Sequence, residues 1–88
     1  MKVVVNRSFG GFSLGDGFMK EYGYKYRYAI DDSIRTDPRL IEWVENHPDD
    51  NKSLKIVDVP EETTDWQIHE YDGAEDIIAV INGKIVWL

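Results

Sequence analysis

"IIAVINGKIVWL", residues 77–88, reads as a β-hairpin. Asn82–Gly83 is a pair that tolerates positive φ at both central positions of a type I′ turn, whose twist matches that of the flanking strands. Ile81 and Lys84 would then flank the turn. Moving toward the N-terminus, "WQIHEY" (66–71) alternates, with Trp66, Ile68 and Glu70 on one side. "YDG" follows it as a turn, with Asp72–Gly73 at its centre. "LKIVDVP" (54–60) is an apolar strand closed by Pro60, and "EETTD" is a turn-rich connection. From residue 54 onward the chain is therefore a run of strands.

The helical signal lies before that run. In "TDPRLIEWVENHP" (36–48), Asp37 is a good N-cap, and Pro38 fits the first helical position, where no amide donor is needed. Leu40, Ile41, Trp43 and Val44 form an apolar stripe at helical spacing. His47 falls near the negative end of the helix dipole, and Pro48 stops the helix. At the start of the chain, Val3, Val4 and Val5 have no polar alternation, which predicts a short strand covered on both faces. In "FSLGDGFMKEYG", Ser13 could cap a short helix carrying Leu14, Phe18, Met19 and Tyr22, although Gly15 and Gly17 each cost up to ~1 kcal/mol in a helix interior. "YKYRYAI" (24–30) alternates aromatic and basic residues and predicts a strand with Tyr24, Tyr26 and Tyr28 on one face. The expected fold is α+β: one domain over residues 1–88, with a small mixed or antiparallel sheet packed on one main helix and a C-terminal β-hairpin.

Composition narrows the function classes. At 88 residues the chain can bury one modest core. Its net charge of −7 repels nucleic-acid phosphates, so direct nucleic-acid binding is not expected. The same charge admits the opposite role, in which carboxylates imitate nucleic acid before a basic surface. The chain has no cysteine, which rules out thiol catalysis, thiolate metal sites and disulfides. No stretch reaches the 18 consecutive apolar residues of a membrane span, and the N-terminal apolar run is too short for a signal sequence, so a cytoplasmic location is expected.

Four constellations could carry chemistry. "NRSFGGFSLG" follows the valine strand. Arg7, Ser8, Phe9, Gly10, Gly11 and Phe12 could cradle an anion with backbone amides. Neither phosphate-loop spacing, G-x-x-x-x-G-K-[ST] or G-x-G-x-x-G, is present, so the competing reading is a tight turn needing positive φ at Gly10 or Gly11, anchored by Phe9 or Phe12. "RTDPR" brings Arg35 and Arg39 to a helix N-terminus, an arrangement suited to an anion, or else to ion pairs with Asp31, Asp32, Asp37 or Glu70. "HEYDGAED" gathers His69, Glu70, Asp72, Glu75 and Asp76, but it lacks the EF-hand spacing, and with only His47 and His69 in the chain no metal site or cofactor is expected. Finally, Tyr24, Tyr26, Tyr28 and Trp87 could form an interface, stack a base, or pack a sheet.

Taken in order, "VVVNRSFGGFSL", "RTDPRLIEWVE", "LKIVDVP" and "IHEYDGAE" resemble a small protein family encoded widely in bacteriophage and prophage genomes. The resemblance covers most of residues 1 to 76. Relatives often carry Cys and Tyr where this chain has Ser8 and Phe9, so a thiol role does not transfer. No catalytic residues come with the resemblance. It implies a small non-enzymatic protein that counters a host process, such as defence, by sequestering a small anionic ligand such as a nucleotide or by contacting a host protein. A structural role as a homo-oligomer is the alternative. The "AVINGKIVWL" hairpin lies beyond the shared stretches and is a candidate for oligomer contacts or for closing a sheet edge.

Overall fold

The computed structural model describes residues 1–28 and 31–88. Its elements are β1 (Lys2–Asn6), α1 (Asp16–Tyr22), a 3-10 helix (Asp32–Thr36), α2 (Pro38–Asn46), β2 (Leu54–Asp58), β3 (Thr63–Tyr71), β4 (Ala74–Ile81) and β5 (Lys84–Trp87). The fold is α+β, and every strand pair is antiparallel. The strands form two sheets where one was expected: β1–β2, and β3–β4–β5.

The valine run explains the layering. Alternation sends Val4 to one face of β1, where it meets Leu54, Leu14, Phe18, Ile34 and Leu40 under the helices. Val3 and Val5 go to the other face, with Val57, Val59 and Ile77, and Trp66, Ile68 and Leu88 pack around them. All three valines are fully buried. The two-stranded sheet is thus the middle layer, between the helices and the three-stranded sheet. An uninterrupted apolar strand needs such cover on both faces.

Local chemistry places several elements as expected. Asp37 caps α2 by accepting from the Arg39 N–H at 2.9 Å, and Pro38 occupies the first turn. Arg39 hydrogen-bonds back to the Asp37 carboxylate, and that bond, with the Arg39 N–H and charge, holds the carboxyl below its usual range against the opposing effect of burial. Asn82 and Gly83 both have positive φ, with Ile81 and Lys84 flanking them. Asp72 and Gly73 repeat the same device between β3 and β4.

Two expectations are corrected. Ser13 does not cap α1. The N-cap is Gly15, with no side-chain cap of its own, and the capping group comes from the loop after α2. The Asp50 carboxylate accepts from the Gly17 N–H at 2.8 Å, the Phe18 N–H at 3.0 Å and the Trp43 indole N–H at 2.9 Å. A Cβ on Gly15 would collide with that carboxylate, and one on Gly17 would stand 3.0 Å from it. The glycines that weaken the helix in isolation are what lets Asp50 reach its amides. The second correction concerns "YKYRYAI". Residues 24–28 form no strand, and positions 29 and 30 lie outside the described residues. Tyr24 instead donates its N–H to the Met19 carbonyl after the α1 cap at Gly23, and its ring stacks on Phe18 at 5.5 Å between centroids.

Asp50 gives a pH-dependent prediction. Partial burial acts to raise its pKa, but the hydrogen bonds from Gly17, Trp43 and Phe18 outweigh it and hold the carboxyl below its ordinary 3.8. A depressed folded-state pKa gives stability that is present above the unfolded value and lost as pH falls through the folded one. Asp50→Ala is expected to cost about 2 kcal/mol near neutral pH, the scale of a lost cap plus a stranded indole donor. Urea unfolding of both proteins checks this. The gap between them should close in acid, and a gap that persists well below the ordinary carboxylate range would refute the assignment.

Candidate functional site

Three of the arginines singled out in the sequence occupy well-defined positions, and β1 determines two of them. The Arg7 N–H donates to the Ser53 carbonyl and the Val59 N–H to the Met1 carbonyl, so odd-numbered residues of β1 face β2 in the ladder. The main-chain groups of Val4 and Asn6 point the other way, where no strand of the described residues lies. An ion pair stands there in place of a strand. Arg35 donates from Nη1 to the Val4 carbonyl at 3.3 Å, and the Glu75 carboxylate accepts from the Asn6 N–H at 2.8 Å. Arg35 and Glu75 are themselves joined by two parallel bonds of 2.7 Å. Both side chains are buried, and the guanidinium lies 4.1 Å from the centroid of the Phe12 ring. Asp32 adds an exposed contact to Arg35 at 3.3 Å.

The glycine loop closes over this pair. Gly10 and Gly11 both have positive φ, with open space where a Cβ would project, so backbone conformation alone explains glycine at both positions. The Gly10 N–H donates to the Asp72 carbonyl at 3.1 Å. Asn6 Nδ2 donates to the Ser8 carbonyl at 2.6 Å and the Gly73 carbonyl at 2.7 Å. Arg7 pairs with Asp76 and reaches the main-chain oxygens of Glu75 and Leu88 at 3.3 Å. The Ser8 and Ser53 hydroxyls are hydrogen-bonded at 2.9 Å. The loop therefore clasps the β3–β4 turn. Phe12 is the anchoring aromatic, whereas Phe9 is 74% exposed.

Arg39 lies elsewhere. It lines a cleft of about 350 Å³ with Tyr24, Lys25, Tyr26, Asp31, Ser33, Ile34 and Asp37. Its Nε and Nη2 bond the Asp37 carboxylate, Nη2 also meets the Tyr24 hydroxyl at 3.4 Å, and the guanidinium lies 5.2 Å from the Tyr22 ring centroid. Its Nη1 takes no hydrogen bond to any described residue. Tyr26 and Tyr28 are 71% and 66% exposed. A second hollow, sharing Lys25 and Tyr26 with the first, is lined also by Met19, Arg27 and Tyr28. Arg27 is tied to Asp16, at the start of α1. Trp87, the fourth expected interface residue, lies apart from the tyrosines, on β5 of the three-stranded sheet.

The structure thus divides the expected site. Arg7, Ser8, Gly10, Gly11, Phe12 and Arg35 come together around Glu75 and the 72–73 turn, where both guanidinium groups, the Ser8 hydroxyl and the Gly10 N–H are hydrogen-bonded within the chain. Arg39 joins Tyr24 and Tyr26 in an open cleft, and Tyr28 lines the second hollow. The sequence places Glu75 in the 69–76 acidic cluster but not among the partners of Arg35, which is where the structure puts it. Its signal is parity, since Glu75 shares the inward face of β4 with Ile77 and Ala79, and an acid on an apolar face requires a cation. Among the described residues, no group of three His, Asp or Glu side chains could hold a metal ion, and no helix is long and apolar enough to cross a membrane.

No family model matches the chain, and no curated protein or solved structure is significantly similar to it.

Proposed function

We propose that this is a non-enzymatic binding protein that takes a small anionic ligand with an aromatic part, such as a nucleotide, in the Arg39–tyrosine cleft. The observation that carries the reading is the joining of Arg39 and Lys25 with Tyr24 and Tyr26 in one cleft of about 350 Å³, on a chain whose net charge is −7. That volume falls within the range of small-molecule sites. Guanidinium and ammonium groups suit phosphate, and the tyrosine faces suit a base. Asp31 and Asp37 could accept hydrogen bonds from base N–H or sugar hydroxyl groups. The sequence resemblance to small phage and prophage proteins supports a role against a host process in the cytoplasm, with the ligand as a sequestered host signal. The exposed Tyr26 and Tyr28 equally support contact with a host protein through the same segment, since tyrosine and arginine are enriched at interfaces.

Small molecules released on denaturing protein purified from bacterial cytoplasm, identified by mass spectrometry, give the first test. A stoichiometric anion is the expected result. Calorimetric titration with that anion, or with a panel of nucleotides, then tests the site. Arg39→Ala removes charge-assisted bonds of roughly 1.5–3 kcal/mol each, so affinity should fall at least about tenfold, with no change in fold because Arg39 is exposed. Affinity unchanged in both Arg39→Ala and Tyr26→Ala would sink the cleft as the ligand site.

A further inference from the structure

The β3–β4–β5 sheet has two edges, and they are built differently. On β3 the register shifts between Thr63 and Asp65, and the strand carries Asp65 and Glu70. An irregularity and charges are what keep an exposed edge from pairing with another chain. β5 has no irregularity, and its one charged side chain, Lys84, stands at its first position beside the turn. It reads Lys-Ile-Val-Trp, with Ile85 73% and Trp87 57% exposed.

The hydrogen-bond phase shows what this edge offers. The Leu88 N–H donates to the Ile77 carbonyl at 2.9 Å, and the register runs Ile78–Trp87, Ala79–Val86, Val80–Ile85 and Ile81–Lys84. Hydrogen-bonded and non-bonded pairs alternate in an antiparallel ladder. Residues 84, 86 and 88 therefore face β4, and the main-chain groups of Ile85 and Trp87 point outward. Their side chains share the outer face of the sheet with Ile78 and Val80, and Trp87 meets His69 edge-on at 5.1 Å between centroids.

We infer that β5 pairs antiparallel with β5 of a second copy, joining two three-stranded sheets into one of six strands. Self-pairing centred on Val86 sets Ile85 of one copy opposite residue 87 of the other. These are the two residues whose donors and acceptors point outward, so the match closes about four main-chain hydrogen bonds on a two-fold axis. The same register puts both Ile85 and both Trp87 side chains side by side on the outer face, covering apolar surface that is open in the single chain. Charge favours this edge as the meeting point of two acidic copies. Residues 77–88 carry no Asp or Glu, and their one charged side chain, Lys84, is opposite in sign to the net charge of the approaching molecule.

Sedimentation equilibrium of the intact chain, from micromolar to millimolar, tests this. The expected species has twice the chain mass of 10.2 kDa. Ile85→Glu sets a new carboxylate near its symmetry mate and should give a monomer over the same range, with unchanged circular dichroism. Ile85→Pro is the second variant. It deletes only an outward-facing N–H and leaves the bonds to β4, so it should also give a folded monomer. A wild-type monomer throughout would overturn self-pairing and leave the edge to a strand from another protein. Dimer persisting in either folded variant would overturn it as well.

Discussion

Glu75→Gln is expected to lower the unfolding free energy by about 3–5 kcal/mol, the cost of stranding one member of a buried ion pair. Because small domains have only ~5–15 kcal/mol in total, a large unfolded fraction should appear at modest urea. Arg35 and Glu75 are both buried, and the charge left behind has only the exposed Asp32 at 3.3 Å as a counter-ion. An ordinary buried pair can often be replaced by two apolar residues with little loss. That should fail here. The pair also answers the Val4 carbonyl and the Asn6 N–H, two main-chain groups with no strand beside them. Arg35→Met with Glu75→Leu would leave both unsatisfied and should stay well below wild type. The charge-swapped double variant, Arg35→Glu with Glu75→Arg, is sharper still. It restores attraction between the two side chains but points a carboxylate at a carbonyl and a guanidinium at an N–H. Urea unfolding of the singles and the swap decides the matter. A swap that recovers most of the lost stability would show that the pair acts only through its own attraction and not as a substitute strand.

How far the sequence discloses this molecule depends on how local each signal is. Asp37–Pro38 and Asn82–Gly83 act through their own backbone geometry, and both produce the expected cap and turn. The valine run needs no partner to be named before it implies cover on two faces. The alternation in "YKYRY" misleads because period two reports a strand only when one face is buried. Lys25, Tyr26, Arg27 and Tyr28 are all exposed, so nothing makes their two faces different. Arg35 illustrates the middle case. Its charge demands a carboxylate, and the nearby Asp32 does contribute, but the main partner lies 40 residues away on β4. Asp50 is similarly remote from the amides it caps, and only the unexplained cost of Gly15 and Gly17 in a helix marks the place where it sits. The glycine loop was legible as a positive-φ turn, but its partner was not, since the Asp72–Gly73 turn meets it only through the tertiary fold.

That contact supports the second large effect. Gly73→Ala should destabilise the protein by about 2–5 kcal/mol, whereas Gly83→Ala, at the matching position of the other hairpin, should cost only about 1–2 kcal/mol. Both glycines have positive φ, +87° and +77°, so an alanine at either carries a similar backbone strain. Their surroundings differ. A Cβ on Gly83 meets nothing within 4 Å, whereas one on Gly73 would collide with the Gly11 nitrogen and stand 2.7 Å from the Gly10 nitrogen. Those are backbone atoms and cannot swing aside as a side chain would. Relief requires the clasp to open, with loss of the Gly10 bond to Asp72 and the Asn6 bond to Gly73. Overpacking of this kind adds roughly 1–3 kcal/mol to the shared strain. The difference between the two variants, measured by urea unfolding under identical conditions, removes the φ contribution and reads the clasp alone. Opening the clasp also uncovers the Arg35–Glu75 pair. Gly73→Ala and Glu75→Gln should then combine to less than the sum of their separate losses, because each releases part of what the other had held. Simple additivity would mean that the loop and the ion pair are independent, and that the glycines merely turn the chain.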